Sequence, residues 1–144
     1  PPATAQLKTV KLDNTKIVAG QTVYVPIYAT IYMWDQNRSI DLTATLSVRN
    51  TDQTQPMIIA AVNYFDSNGK RVRQYLDQPV ELGPMSATSF VVNQEDRSGG
   101  AEAAFVLEWV APTAVSPPVI ESIMINTSGN QGISFVSPGR VIKS

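Results

Sequence analysis

Residues 40–49 read IDLTATLSVR, and this stretch decides the fold class of the chain. Its even positions, from Ile40 to Val48, are apolar, and its odd positions, from Asp41 to Arg49, are polar. Successive side chains of a β-strand point to opposite faces, so a period of two predicts a strand with one buried face and one face in water. Such strands are typical of antiparallel sheets.

The dipeptide Asn68-Gly69 predicts a β-hairpin, because both central residues of a two-residue type I′ turn require a positive φ. This turn fixes the register of its two strands. It places Asp66 opposite Arg71, Phe65 opposite Val72, Tyr64 opposite Arg73 and Val62 opposite Tyr75. An ion pair, two apolar pairs and a cation–π pair result, and together they favour this register over its neighbours.

Further segments rich in β-branched and aromatic residues alternate with turn residues. They predict strands at Thr9–Leu12, Thr22–Tyr32, Ala87–Asn93, Ala103–Val110, Val119–Asn126 and Ile133–Val136. Because proline lacks a backbone donor, the strand that contains Pro26 must bend there, lie at a sheet edge or serve a function. We expect an all-β chain, a single antiparallel two-sheet β-sandwich of immunoglobulin-like architecture with about eight strands. Residues 1–7 are expected to form a disordered lead-in or tether, and residues 8–144 the single sandwich domain.

The 144-residue chain contains neither cysteine nor histidine. Disulfides, thiolate or histidine metal sites and histidine-based catalytic triads are therefore excluded. The formal net charge of −1 provides no long-range field to attract nucleic acid. No apolar run approaches the length of a transmembrane helix, and the glycine motifs of nucleotide-binding loops are missing. We expect no enzymatic activity, no cofactor, no bound metal and no nucleic-acid partner.

Residues 24–34 concentrate four aromatic side chains, Tyr24, Tyr28, Tyr32 and Trp34. In a regular strand these four share one face, and an exposed aromatic strip of this kind suits a sugar or a protein partner. The alternative is a strand that is buried on both faces or reset by a kink at Pro26, which is the commoner arrangement for aromatic residues. The four residues are candidates for a ligand or partner surface.

Residues 126–132 are rich in small polar side chains, among them Asn126, Asn130 and Gln131. A loop of this composition on a rigid scaffold presents amide donors and acceptors to a ligand. Its simpler interpretation is a turn between two strands. Asn126, Asn130 and Gln131 are therefore added to the candidate binding residues.

Glu108 and Glu121 lie inside otherwise apolar strands, which suggests a second kind of site. A pair of carboxylates in one cleft is the minimum for glycoside hydrolysis, and the candidates are Asp35, Asp96, Glu108 and Glu121. Carboxylates on strands are more often solvated or ion-paired, so hydrolysis is the least favoured hypothesis.

Several phrases in order along the chain carry a family resemblance. They are residues 23–28, 41–52, 64–69, 99–100, 105–109, 118–124 and 132–135, within a span from about Gln21 to Ile142. The set resembles the uncharacterised bacterial family called domain of unknown function 3124. The resemblance implies small proteins with export signals in proteobacteria and cyanobacteria. It assigns no activity and leaves the function open. A fainter pattern, a strand followed by a tyrosine-rich hairpin and a proline-bearing turn, is similar to the soluble transducer of a cyanobacterial sensory rhodopsin and implies a sandwich that forms oligomers.

Three hypotheses follow. The first is a non-catalytic binding or structural module of the bacterial cell envelope, exported to the periplasm or anchored, with a protein or glycan partner. The second is an oligomeric signalling adaptor. The third is the carboxylate-based hydrolase.

Overall fold

The computed structural model describes residues 7–33, 35–93, 96–126 and 132–144, with backbone alone at 33 and 35–38. Thirteen β-strands and one 3-10 turn, Asn14–Lys16, lie within these residues. The strands are β1 Lys8–Thr9, β2 Ala19–Tyr28, β3 Thr30–Met33, β4 Asp35–Asp41, β5 Thr43–Arg49, β6 Met57–Phe65, β7 Arg71–Gln74, β8 Val80–Leu82, β9 Ala87–Val92, β10 Glu102–Ala111, β11 Val119–Asn126, β12 Ile133–Pro138 and β13 Arg140–Lys143.

The strands form two large antiparallel sheets and one small one. The first sheet has the order β1-β8-β6-β10-β2-β13, with β7 beside β6, and the second has the order β12-β11-β5-β9. Strands β3 and β4 form a separate two-stranded sheet. The predicted antiparallel β-sandwich is confirmed. The expected number of about eight strands is wrong, because two predicted runs each split in two and short strands pair at the sheet edges.

The core lies between the inner faces of the two large sheets. Val25, Phe105 and Leu107 of the first sheet and Leu46 and Val48 of the second are fully buried. The apolar face predicted within residues 40–49 is confirmed, since the even positions from Leu42 to Val48 are at most 1% exposed, whereas Ser47 of the predicted polar face is buried as well. Burial of this one face drives the two sheets together.

The hairpin between β6 and β7 follows its predicted register only in part. Tyr64 lies opposite Arg73, and the backbone N–H of Tyr75 donates to the carbonyl of Val62 at 2.8 Å, as predicted. Nearer the turn the register shifts by one, and Phe65 lies opposite Arg71 in place of Val72.

The shift has its cause in the side chain of Asp66. Its Oδ1 accepts from the backbone N–H groups of Asn68 and Lys70, both at 2.9 Å, so it does not pair with Arg71. Of the two central residues, Asn68 and Gly69, only Gly69 has a positive φ, of 82°, and its N–H donates to the carbonyl of Asp66 at 3.0 Å. The turn is therefore a longer one with a glycine bulge, in place of the two-residue type I′ turn.

Pro26 lies at a locally unpaired edge of β2. On one side β2 pairs with β10 throughout, where Pro26 faces Ala104, whereas on the other side the pairing with β13 ends at Tyr24. The carbonyl of Pro26 accepts from Ser122 Oγ of the opposite sheet at 2.7 Å. An edge position tolerates the missing donor of proline, so of the predicted alternatives the sheet edge is the one observed, and the strand does not bend at Pro26.

The bend in the aromatic segment comes three residues later, at Ala29. Its N–H donates to the carbonyl of Ala101 at 3.1 Å, and its carbonyl accepts from the N–H of Leu42 at 2.9 Å. These two bonds end β2 and begin β5 at the same point. The chain between them, β3 and β4, therefore folds away from the large sheets and stands at one end of the sandwich.

Candidate functional site

A recess of about 320 Å³ opens at this end of the sandwich. One wall is the β3–β4 sheet, and the other is the loop of residues 96–101 before β10. Ala29 of the bend lies between the two walls. The lining residues are Ala29, Thr30, Tyr32, Ser39, Asp41, Asp96, Arg97, Gly100 and Ala101. The volume lies at the small end of the range for ligand pockets.

The β3–β4 wall presents an aromatic ring and a carboxylate. Tyr32 is 60% exposed. Thr30 Oγ1 donates to Asp41 Oδ1 at 3.1 Å, and the guanidinium of Arg97, from the opposite wall, forms an ion pair with Asp41 Oδ2. The Arg97–Asp41 pair therefore links the two walls across the recess.

The opposite wall is held by Asp96. Its Oδ1 accepts from the N–H of Ser98 at 2.9 Å and from Ser98 Oγ at 2.6 Å. Its Oδ2 pairs with Arg73 Nη2 of β7 at 2.7 Å. Hydrogen bonding from the Ser98 hydroxyl, with the charge of Arg73, lowers the pKa of Asp96 below its usual value. Asp96 is therefore a fixed anion that anchors the loop.

Two further contacts fix the rest of this loop. Ser67 Oγ, in the β6–β7 turn, donates to the carbonyl of Glu102 at 2.8 Å, and the N–H of Ser67 donates to the carbonyl of Gly99 at 3.0 Å. Gly99 packs directly on Tyr64, where an added Cβ would lie 2.8 Å from both Tyr64 Cζ and Ala103 Cβ. Gly100 has a φ of 72°, in the region that favours glycine. The loop conformation therefore depends on both glycines.

An aromatic cluster supports the loop from inside the sandwich. The rings of Tyr75 and Tyr64 each lie 5.1 Å from that of Phe105, and Tyr75 lies 6.1 Å from Phe90. Burial raises the pKa of Tyr64 to about 12 and also raises that of Tyr75. The Tyr75 hydroxyl donates to the carbonyl of Val91 at 3.1 Å and lies 3.0 Å from Arg73 Nη1. The cluster is a rigid floor behind Arg73 and Asp96.

The recess is electrostatically balanced. Each of the two carboxylates in its described lining, Asp41 and Asp96, is paired with an arginine. Within the described ranges, no three acidic side chains gather as a metal ion would require. The recess therefore offers hydrogen-bond donors and acceptors beside an exposed ring.

The structure separates the three described members of the aromatic group that the sequence predicted. Tyr24 is 42% exposed on the outer face of the first sheet. Tyr28 is half-buried, with its ring 5.8 Å from that of Phe135, and Tyr32 lies beyond the bend in the recess wall. Trp34 lies outside the described residues. Whether these side chains bind a ligand stays a prediction.

The predicted polar loop starts next to the recess. Asn126 is buried, and its Nδ2 donates to the carbonyl of Asp41 at 2.6 Å. Asn130 and Gln131 lie outside the described residues. The end of β11 is thus joined to the same strand that carries the Asp41 carboxylate.

Two of the predicted carboxylates, Glu108 and Glu121, lie far apart. Glu108 lies on the outer face of the first sheet and Glu121 on the outer face of the second, with the core between them. The Asp35 side chain lies outside the described part. Asp96 shares the recess with Asp41, which the sequence-based candidates did not include.

Asp41 and Arg97 are the residues of this site that sequence reasoning missed. Asp41 is one of the polar positions in the alternating stretch 40–49, and Arg97 stands among the acids of residues 95–102. The sequence shows that both residues are charged, but they are 56 positions apart, so no local pattern relates them. The pairing becomes apparent only once the bend at Ala29 places the β3–β4 sheet beside the loop.

Comparisons with known proteins yield a family and a distant structure. The family model described as "Protein of unknown function (DUF3124)" matches residues 20–142. No curated protein sequence matches the chain. A solved structure from Thermotoga maritima, described as "Crystal Structure of Thermotoga maritima 1070", is 12% identical, with a TM-score of 0.46, and the match covers 83% of this chain and 92% of the other. Within the described residues there is no helix with the length and hydrophobicity needed to cross a bilayer.

Proposed function

The chain belongs to the DUF3124 family, and we propose that it is a non-catalytic binding module of the bacterial cell envelope whose binding site is the recess beside Tyr32. The observation that carries the proposal is the Arg97–Asp41 ion pair across the recess, next to a tyrosine ring that is 60% exposed. Exposed aromatic rings and paired charges at a cavity mouth are typical of ligand sites on a rigid β-scaffold.

The ligand that fits this chemistry best is a neutral, hydroxylated one, such as a glycan. Because Asp41 and Asp96 are each neutralised by an arginine, a charged ligand would have to displace an existing ion pair. Sugar hydroxyls both donate and accept, so they bond the carboxylate and the guanidinium without separating them. The C–H face of a sugar ring can pack on the face of Tyr32, which carries partial negative charge.

Hydrolysis is a weaker proposal for the same recess. Glycoside hydrolysis needs one carboxylic acid that stays protonated near neutral pH, and this requires a raised pKa. The pKa of Asp96 is lowered, because Ser98 and Arg73 stabilise its anion. A carboxylate of this kind binds ligand hydroxyls but does not supply a proton to a leaving group.

Saturation-transfer NMR with neutral glycans tests the binding proposal. The probes are neutral oligosaccharides of N-acetylglucosamine and of hexoses, added to the wild-type protein and to two tyrosine variants. We expect binding that is lost in Tyr32→Ala and retained in the matched control Tyr24→Ala, because Tyr24 is exposed on a sheet face away from the recess. Absence of binding for every probe, or equal losses in both variants, would refute the proposal.

The envelope location rests on the export signals that the resemblance to this family implies. Cell fractionation of a bacterium expressing the complete gene tests it. We expect the protein with periplasmic or membrane markers, and recovery with cytoplasmic markers alone would contradict the location while leaving the binding proposal intact.

A further inference from the structure

The outer face of the second sheet is unusually poor in charge. The pairing registers place Val91, Thr45, Ile123 and Val136 in one row across the four strands, all pointing away from the core. Val91, Val119, Ile125 and Val136 on this face are each 40–54% exposed. By contrast, the outer face of the first sheet carries Glu102, Glu108 and Arg140.

Two charged residues stand out on this face, and they have opposite signs. Arg49 lies on β5, and Glu121 lies on the neighbouring strand β11, one row further along. Among the described residues, neither side chain takes part in an ion pair of this chain. A partner surface that covers the apolar row must also offer one anion and one cation at matching positions.

A second copy of this chain meets that requirement, and we infer that the protein self-associates through the outer face of its second sheet. A two-fold interface needs a self-complementary surface. A two-fold axis that runs parallel to the strands, between β5 and β11, exchanges these two strands while keeping each row in place. It sets Val91 on Val136 of the second copy, and Thr45 on Ile123.

The same axis brings the charges together. Arg49 then faces β11 of the second copy, and its long side chain can reach Glu121 of that copy one row away. An axis perpendicular to the strands through the Val91–Val136 row would instead place Glu121 against Ile125 of the second copy. Burial of an unpaired carboxylate against an apolar side chain is unfavourable, so the charges select the strand-parallel axis.

The size of the face sets the strength of the association. Four strands of six to eight residues span a face of about 20 Å by 20 Å. This area of about 400 Å² is half of the roughly 800 Å² that each partner buries in a stable dimer. The face therefore supports a weak dimer that forms as the protein concentration rises.

Sedimentation velocity from about 1 μM to about 500 μM tests the inference over the range where weak interfaces associate. We expect the wild-type protein to convert from monomer to dimer. Val136→Lys weakens the dimer by about tenfold or more, since a lysine would be buried without a partner. Val141→Lys, at a similarly exposed valine on β13 of the first sheet, leaves it unchanged.

A charge exchange tests the choice of axis. Arg49→Glu and Glu121→Arg each weaken the dimer, and the double variant restores it, because the opposite charges still meet across the axis. Circular dichroism checks that each variant is folded. A wild-type protein that stays monomeric, a Val141→Lys variant as disruptive as Val136→Lys, or a double variant without recovery would each overturn the inference. Tyr32→Ala is expected to dimerise normally, so failure of glycan binding and failure of self-association are separate results.

Discussion

Replacement of Asp96 by asparagine tests whether the recess wall is held by charge. The Asp96 side chain is 14% exposed, and its partner Arg73 is 43% exposed, so this ion pair lies between surface and buried pairs. A pair of this kind contributes about 0.5–1 kcal/mol. Charge on the carboxylate also strengthens the two hydrogen bonds from Ser98. Asp96→Asn keeps the shape and an acceptor, so we expect a loss of about 1–2 kcal/mol in the free energy of unfolding at pH 7.

The pH dependence has a defined sign. The pKa of Asp96 is lowered in the folded protein, so its contribution is present above the unfolded value of about 3.9 and is lost as pH falls through the folded pKa. The difference between wild type and Asp96→Asn should therefore be full at pH 7 and shrink below about pH 4. Shifts at other carboxyls, such as Asp52, are common to both proteins and cancel in the difference.

Urea unfolding measured by circular dichroism at a series of pH values is the assay, because guanidinium chloride would screen the ion pair. Asp77→Asn is the matched control, since Asp77 is exposed and lies outside the recess. A double-mutant cycle with Arg73→Met should give a coupling of about 0.5–1 kcal/mol. A loss at pH 3 as large as that at pH 7, or a negligible coupling, would refute the role of charge in holding the wall.

The remaining predictions concern the support of the recess and the opposite end of the sandwich. Gly99→Ala is expected to destabilise the protein by about 1–3 kcal/mol in urea unfolding, because its Cβ would overlap Tyr64, whereas Gly83→Ala, with only an ordinary contact at 3.5 Å, is nearly neutral. Tyr64→Phe should leave stability at pH 7 unchanged or slightly higher, because the buried hydroxyl has no hydrogen-bond partner among the described residues. The pKa of Tyr64 is about 12 in the folded protein and about 10 in the unfolded chain. The free energy of unfolding of the wild-type protein therefore falls by up to about 2–3 kcal/mol as pH rises above about 10, and Tyr64→Phe should remove this fall. Asn50→Asp should lose about 2–4 kcal/mol at pH 7 and recover partly below pH 4, as urea unfolding at both pH values will show, because its Nδ2 donates to three carbonyls at 3.0–3.1 Å that would then face a carboxylate.

The sequence predicted the buried face of residues 40–49 correctly but not the break within it. The side-chain period continues through Leu42, whereas the backbone changes sheets there, because its N–H donates to Ala29. That bond joins residues that are distant in sequence, and no local pattern reveals it. The same tertiary contact moves Tyr32 out of the single strand that was predicted to carry all four aromatic residues.

The hairpin shows a second limit of local reasoning. Asn68-Gly69 indicated the right place for the turn, and the pairs furthest from it followed the predicted register. The competing signal was Asp66, whose side chain bonds two backbone N–H groups within the turn and thereby selects a longer loop. The recess depended on still more distant pairs, Arg97 with Asp41 and Arg73 with Asp96, which follow from the placement of loops and not from spacing.

The two proposed surfaces have a joint consequence. The recess lies beyond Asp41 and Asn126, at one end of the strands, whereas the apolar row lies on a sheet face. A two-fold axis parallel to the strands preserves direction along them, so both recesses of a dimer would open at the same end. A single weak glycan site gains avidity when two sites engage one polymer. The wild-type protein should therefore bind a long envelope polysaccharide more tightly than a short fragment of it. Val136→Lys should bind both with the same affinity per site. A perpendicular axis would point the recesses in opposite directions and give no such difference, so the comparison of long and short glycans tests the dimer geometry through its effect on binding.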